Sequence, residues 1–490
     1  MTQAISDSPK ALLEALGQIV GTQYVLSDPE ETRVYECDAL TLHKALPMAV
    51  VLPGSEQEII EILALCRSCK VPIVPRGAGT GISGGVRPIE GGIVLVLTRM
   101  SRILDLDPDG PHAIVEPGVR NLAISEAALV HGLFYAPDPS SQIACTIGGN
   151  VSENAGGVHC LKYGLTLHNV LGIRGILVDG SVVELGGLGP DAPGLDLLPL
   201  VIGSEGTLLI VTRVTVRLLP RPEVARLAMA SFDAVGTCAD AVSAIIAKGI
   251  IPAGLEMMDR GAIEVVEDFV RCGYDLDAEA ILLVESDGVE LEVREEMARI
   301  EHILKDCGAR SVRIAETEEE RLKFWSGRKS AFPAAGRAAR EYYCMDGTVP
   351  RRAMASLLSY IQELERAFSL RCINVFHAGD GNMHPLILFD GRQPGEADRA
   401  EAFGQKILLK CVELGGTVTG EHGVGIEKLD SLCVQFGDDE RHVFHEFKAV
   451  FDPPRLLNPD KGIPSLHRCI EVGRQRNPDT RAQSLGLEHF

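Results

Sequence analysis

A chain of 490 residues, 46% hydrophobic and 23% charged, can bury two or three ordinary cores at roughly 100 to 200 residues each, which excludes disordered and collagen-like chains. Its formal charge of −21 would repel nucleic-acid phosphate, and no basic stripe offsets it. The longest apolar runs, such as Ile93 to Leu97 and Leu208 to Val211, fall far short of the roughly 20 residues a membrane helix needs.

Met1 to Ala11 carries no secretory signal, so a cytoplasmic protein is expected. Thirteen cysteines, an odd number scattered from Cys37 to Cys469, suggest buried thiols rather than a disulfide framework. Cys66 and Cys69 form a CxxC pair without a second pair to complete a cluster, and read as packing late in a helix. That helix opens at Ser55-Glu56-Gln57-Glu58, a capping box. Strands are expected at Val71 to Pro75 and Ile93 to Leu97, with more short strands through Val216. Pro220-Arg221-Pro222 breaks both helix and strand and marks a domain boundary. Beyond it, strands near Leu227, Leu255 and Ile281 are each followed by a helix, the last closed by Gly308. Helices are expected over Arg351 to Phe368 and Ala397 to Leu414, with a strand pair around His377 and His384 between them.

The loop Pro75-Arg76-Gly77-Ala78-Gly79-Thr80-Gly81-Ile82-Ser83-Gly84-Gly85 contains a GxGxxG directly after a strand. A Rossmann site would need a helix to open at the third glycine, but Pro88, Gly91, Gly92 and a strand follow instead. Such a loop reads either as a backbone nest for phosphate or as a flexible hairpin loop. Further small-residue segments supply unhindered backbone for a flat cofactor. These are Pro137-Asp138-Pro139-Ser140-Ser141, Thr146-Ile147-Gly148-Gly149-Asn150, Asn154-Ala155-Gly156-Gly157 and Gly203-Ser204-Glu205-Gly206-Thr207.

In His377-Ala378-Gly379-Asp380-Gly381-Asn382-Met383-His384, a turn centred on Asp380-Gly381 would set the two histidines directly opposite, spaced for one metal ion. Gly420-Glu421-His422-Gly423 adds a carboxylate and a third imidazole; if extended, it would aim one at metal and the other at substrate. Otherwise it is a loop with a solvated Glu and an incidental His. Arg328, three residues after the sole tryptophan, is either a surface residue ending a helix or a guanidinium fork for a substrate carboxylate.

These segments resemble the vanillyl-alcohol-oxidase, or PCMH-type, family of FAD enzymes, in particular the branch that holds bacterial glycolate oxidase D subunits and the D-lactate and D-2-hydroxyglutarate dehydrogenases. The resemblance covers roughly residues 20 to 465. It implies an α+β architecture: a PCMH-type FAD-binding domain of two α/β subdomains over 1–222, an α+β substrate cap over 223–425, a C-terminal return to the FAD domain over 426–470, and a tail, 471–490, expected to fray. It implies that FAD is held by Pro75, Arg76, Gly77, Ala78, Gly79, Thr80, Gly81, Ser83 and Gly84, by Pro137, Asp138, Ser141, Thr146, Gly148, Gly149, Asn150, Asn154, Gly156 and Gly157, and by Gly203, Glu205, Gly206 and Asn458. Thr80 stands where covalent relatives carry the flavin-linking histidine, so the FAD is expected to be non-covalent.

The resemblance also implies a divalent metal (Zn, Mn or Fe) on His377, His384 and Glu421, with His422 as base and Arg328 on the substrate carboxylate. The implied reaction is FAD-dependent oxidation of a small 2-hydroxy acid, glycolate or D-lactate, to the 2-oxo acid. The chain lacks a cluster-binding cysteine run. Electrons are therefore expected to pass to flavin-like and iron–sulfur partner subunits, through which alone it would touch the inner face of a membrane. The alternative is a D-lactate or other D-2-hydroxyacid dehydrogenase without those subunits.

Overall fold

The computed structural model describes residues 8–189, 194–465 and Cys469; the tail expected over 471–490 lies outside the described residues. The chain opens with a four-stranded sheet of β1 (Val25–Leu26), β2 (Ala49–Val51), β3 (Ile73–Arg76) and β4 (Ile93–Val96), in the order β1-β2-β4-β3. The strands β2, β4 and β3 run parallel, and such strands need apolar cover. The helix Glu56–Cys69 supplies it through Ile59, Ile62, Leu63 and Cys66, joined by Leu12 and Leu16 of the helix Pro9–Val20. Ser55 caps the longer helix by accepting from the Glu58 N–H, while the Glu58 carboxylate reaches back to the Gly54 N–H at 2.8 Å.

A second sheet comprises β5 (Ile103–Asp107), β6 (His112–Val115), β8 (Val170–Ile176), β9 (Val182–Gly186) and β10 (Ile210–Arg217), in the order β5-β6-β10-β8-β9, while β7 (Leu133–Phe134) pairs separately with β11 (Leu219–Pro220). The boundary segment thus begins on Pro220, the last residue of a two-residue strand, before Arg221. The third sheet is built from β12 (Val224–Phe232), β13 (Gly254–Asp259), β14 (Ala280–Gly288), β15 (Ser311–Ile314), β16 (Glu341–Cys344), β17 (Gly347–Thr348), β18 (Cys372–His377) and β19 (Asn382–Phe389).

Its alternation explains its two faces. Ala228, Ala230 and Phe232 enter one core with Leu282 and Val284, under the helices Val235–Ala247, Glu290–Asp306, Met354–Phe368 and Glu396–Glu413. Their neighbours Leu227, Met229, Ile281 and Leu283 enter the other, under Arg260–Val270, Glu318–Lys329 and Ala331–Ala338. The chain then returns to its start. Ile73 donates to the Leu456 carbonyl at 2.8 Å, Asn458 donates back to Ile73 at 2.7 Å, and Leu456 and Leu457 join the first core.

One sequence expectation needs adjustment. Cys433 and Cys469 form a disulfide, although the other eleven cysteines are free thiols; the odd count conceals a single pair that only the folded C-terminal segment brings together. Among the described residues no helix is long and apolar enough to cross a membrane.

Ile93 lies fully buried in the middle of the first sheet. Replacing it with alanine should cost about 2 to 5 kcal/mol in denaturant unfolding. A loss below about 1 kcal/mol would contradict the core assigned to this unit.

Candidate active site

The strand β3 delivers the glycine loop, and no helix follows Gly84 before β4, so the Rossmann geometry is absent. Gly77, Gly79, Thr80 and Gly81 face a cavity of about 380 Å³, with Ser141, Thr146, Gly149, Asn150 and Gly156 beside them. The volume suits a small-molecule site. An adjoining recess is lined by Pro75, Arg76, Gly148, Glu205 and Gly206. Gly148 has no room for a side chain, since a Cβ there would lie 2.7 Å from Pro117. Two buried polar atoms at the cavity, Asn150 Nδ2 and Glu153 Oε2, have no partner in the protein, as expected of groups that meet a polar ligand. Burial, reinforced by Glu205, pushes the Glu153 carboxyl well above the usual range and favours a neutral acid able to donate a hydrogen bond.

Several expected contacts shape this cradle from behind. The Ser83 carbonyl accepts the N–H groups of Ile426 and Glu427, and the Gly84 N–H goes to Asp38. The Pro137 carbonyl accepts from Asn121, Asn154 accepts the Leu167 N–H in a left-handed cap, and the Gly203 N–H bonds Val151. Gly157 packs against Asp138. Asp138 itself turns to a second cavity, where it bonds His159 at 2.7 Å. Asn458 Nδ2 donates to the carbonyls of Gly85 and Glu205 at 2.9 and 2.7 Å, pinning the returning segment to the cradle.

The opposite wall comes from the third sheet and the loop after Thr419: Arg328, His377, His384, Glu421 and His422 all line the same cavity. The hairpin register differs from the two-residue turn expected. His377 pairs with Asn382 and Val375 with His384, because residues 378–381 form a four-residue loop with Gly381 at φ +75°. The histidines are therefore diagonal on one face, with ring centroids 5.0 Å apart.

Glu421 Oε1 lies 3.2 Å from His377 Nε2 and 3.0 Å from His384 Nε2. Glu421 and His422 do not point in opposite directions as an extended segment would require. The backbone bends at Gly420 to Gly423, so His422 Nε2 comes within 3.5 Å of the same oxygen and its ring stacks on His384 at 4.8 Å.

This bend is held by Asp346, which sequence reading missed. Its fully buried carboxylate accepts the N–H groups of Gly420, Glu421 and His422 and the Lys428 ammonium at 3.3 Å. Burial alone would raise that carboxyl, but His422, Lys428 and His384 outweigh it and hold Asp346 well below the ordinary range. Glu205 grips the next turn by accepting the N–H groups of Val424 and Gly425, both at 2.7 Å.

The ligand atoms of His377, His384 and Glu421 all lie within 4.8 Å of one another, as do those of Cys344, His384 and His422. The first set is chemically better. Burial drives the Cys344 thiol far up and disfavours the thiolate a metal requires, whereas the first set supplies the Glu421 carboxylate instead. Arg328, on the last turn of the helix Glu318–Lys329, is 2% exposed and is no surface residue. Its Nε donates to Glu256 Oε2 at 2.7 Å.

Residues 47–186 match the family described as FAD binding domain, and residues 221–462 match the FAD linked oxidases, C-terminal domain. The chain belongs to the FAD-linked oxidases. It is 56% identical over 463 residues to the glycolate oxidase subunit GlcD of Escherichia coli (strain K12), covering 94% of this chain and 93% of that protein. It is 41% identical to its Bacillus subtilis counterpart, over 92% and 96% of the two chains, and 33% identical to a D-lactate dehydrogenase of Archaeoglobus fulgidus, over 85% and 91%. The fold resembles that of p-cresol methylhydroxylase, with a TM-score of 0.80 at 17% identity over 94% of this chain and 97% of that one.

As an FAD-linked oxidase the protein takes FAD, and the glycine cradle with its unpartnered Asn150 and Glu153 atoms suits that cofactor. The loop residues facing the cavity, Gly77 to Ile82, include no histidine. Cys145 also lines it, but burial keeps its thiol protonated. Acid precipitation of the holoenzyme should therefore release FAD into the supernatant, and flavin retained on the denatured chain would contradict non-covalent binding.

Proposed function

We propose that this FAD-linked oxidase oxidises a short 2-hydroxy acid, glycolate or D-lactate, to the 2-oxo acid. The supporting observation is the convergence of a buried guanidinium, a His–His–Glu cluster and a further imidazole on the cavity formed by the glycine loop. When bound, FAD supplies the two-electron acceptor and a divalent metal on His377, His384 and Glu421 supplies a Lewis acid.

The protein's own residues do the remainder. Arg328 has its Nε committed to Glu256, which leaves the two Nη groups to take the substrate carboxylate end-on. Phe332 and Pro333 line the cavity near it, beside Lys329 and Tyr342; the choice of a short acid is supported by the glycolate oxidase and D-lactate dehydrogenase relatives. His422 takes the hydroxyl proton, its ring held by the stack on His384 and its backbone by Asp346. Arg328, His377 and His384 are buried, and the low dielectric around them strengthens each charge interaction.

In this reading residues 1–222 carry the flavin, 223–425 carry the substrate side and 426–470 close back on the flavin unit. The GlcD relatives are named as subunits, which supports an electron-accepting partner subunit for this chain as well.

Removal of the metal by a chelator, or His384→Ala, should abolish turnover while the flavin spectrum stays intact; full activity in metal-free protein would rule out the metal site. Loss of the Arg328 contact in a desolvated pocket should cost about 2 to 5 kcal/mol of transition-state binding, roughly 30-fold to several-thousand-fold in kcat/KM. Arg328→Lys keeps the charge but presents a point donor instead of a planar fork, so it should remain clearly impaired on both acids with normal FAD content. Near-normal kcat/KM for Arg328→Lys and Arg328→Ala would place the substrate carboxylate elsewhere.

A further inference from the structure

Glu256 sits in the middle of β13, between Leu255 and Met257, where an acid has no place on grounds of packing. It is 1% exposed. Its two oxygens serve different partners. Oε1 lies 2.7 Å from His377 Nδ1, and Oε2 accepts Arg328 Nε at 2.7 Å. The strand register explains how one side chain reaches both, since Glu256 pairs directly with His377 on β18, while the helix bearing Arg328 packs on the same sheet.

We infer that Glu256 is a positioning residue that couples the metal half of the site to the substrate-carboxylate half. This rests on the reading of Arg328 and the histidines given above.

The chemistry on each side is specific. An imidazole whose Nδ1–H is held by a carboxylate is fixed in the tautomer that presents a bare Nε2 lone pair, and its basicity toward a cation rises. His377 Nε2 is the atom that faces Glu421 and the cavity. On the other side, a guanidinium can grip a carboxylate through Nε and one Nη or through both Nη groups. With Nε occupied by Glu256, only the end-on mode remains, and the substrate's orientation is set accordingly. The same carboxylate also compensates a cation that would otherwise be buried unpaired. Substrate carboxylate and metal are thereby held in one frame whose common member touches neither.

Glu256→Gln tests this in the FAD-loaded protein. The amide keeps the size but offers one acceptor and one donor group in place of two acceptors, so it either loses one of the two bonds or keeps both by donating to His377 Nδ1, which moves the imidazole proton to Nε2, the atom meant for the metal. Two binding measurements without turnover are needed: metal affinity by chelator competition, and affinity for a 2-oxo acid, glyoxylate or pyruvate, followed by perturbation of flavin absorption. Glu256→Gln should weaken metal binding about 10- to 100-fold and the 2-oxo acid by at least about tenfold, with FAD content unchanged. Arg328→Lys should weaken the 2-oxo acid alone. Glu256→Asp keeps the charge and should recover part of both affinities; it also serves if the amide does not fold.

Wild-type affinities for metal and 2-oxo acid in Glu256→Gln would overturn the coupling role while leaving Arg328 and the metal cluster in place. Wild-type 2-oxo acid affinity in Arg328→Lys, or a wild-type protein that takes up no divalent metal, would instead overturn the underlying reading and the inference with it.

Discussion

A single buried carboxylate holds the loop that carries Glu421 and His422 in shape. Asp346 gathers three consecutive backbone N–H groups, from Gly420 to His422, and a fully buried lysine. Removing water from so many charges would be prohibitive unless each met a partner of opposite sign or a donor. The arrangement meets that demand by curling the backbone around the carboxylate, and the curl turns Glu421 and His422 to the same side. Geometry needed for chemistry is thus a consequence of charge satisfaction.

The same demand recurs along the seam between the flavin-binding part and the third sheet. Glu205 crosses it to hold Val424 and Gly425. His159 crosses it too, set between Asp138 and Glu285, the latter also bonded by Arg321 and the Trp325 indole. Because the cavity is built from both sides of this seam, the polar contacts that join the halves also fix the distance between the glycine cradle and the group of Arg328, His377, His384, Glu421 and His422.

Much of this was legible in the sequence, for identifiable reasons. A glycine-dense loop between strands announces close backbone approach, and His377, His384, Glu421, His422 and Arg328 stand out because their types have few structural uses beside glycine. Register was not legible: an Asp-Gly dipeptide favours a two-residue turn, but the chain spends four residues there, and only the sheet partners of β18 and β19 decide between them. Glu256 was passed over because it is embedded in an apolar strand segment that reads as core, and Asp346 because it stands before Gly347 between two short strands, where an Asp-Gly pair reads as a turn. An acid in an apolar strand is itself the signal, since burial without a partner would be costly. The Cys433–Cys469 pair could not be read, because its closure depends on where the C-terminal segment packs.

If electrons leave a 2-hydroxy acid for FAD within this one chain, the purified holoprotein needs no partner to be reduced. Anaerobic addition of glycolate, and separately of D-lactate, tests this without any external acceptor. At least one of the two acids should bleach the oxidised flavin band near 450 nm, with one equivalent of 2-oxo acid formed per flavin reduced. A flavin band that stays fully oxidised with both acids, in protein shown to hold FAD and divalent metal, would contradict the proposed reaction.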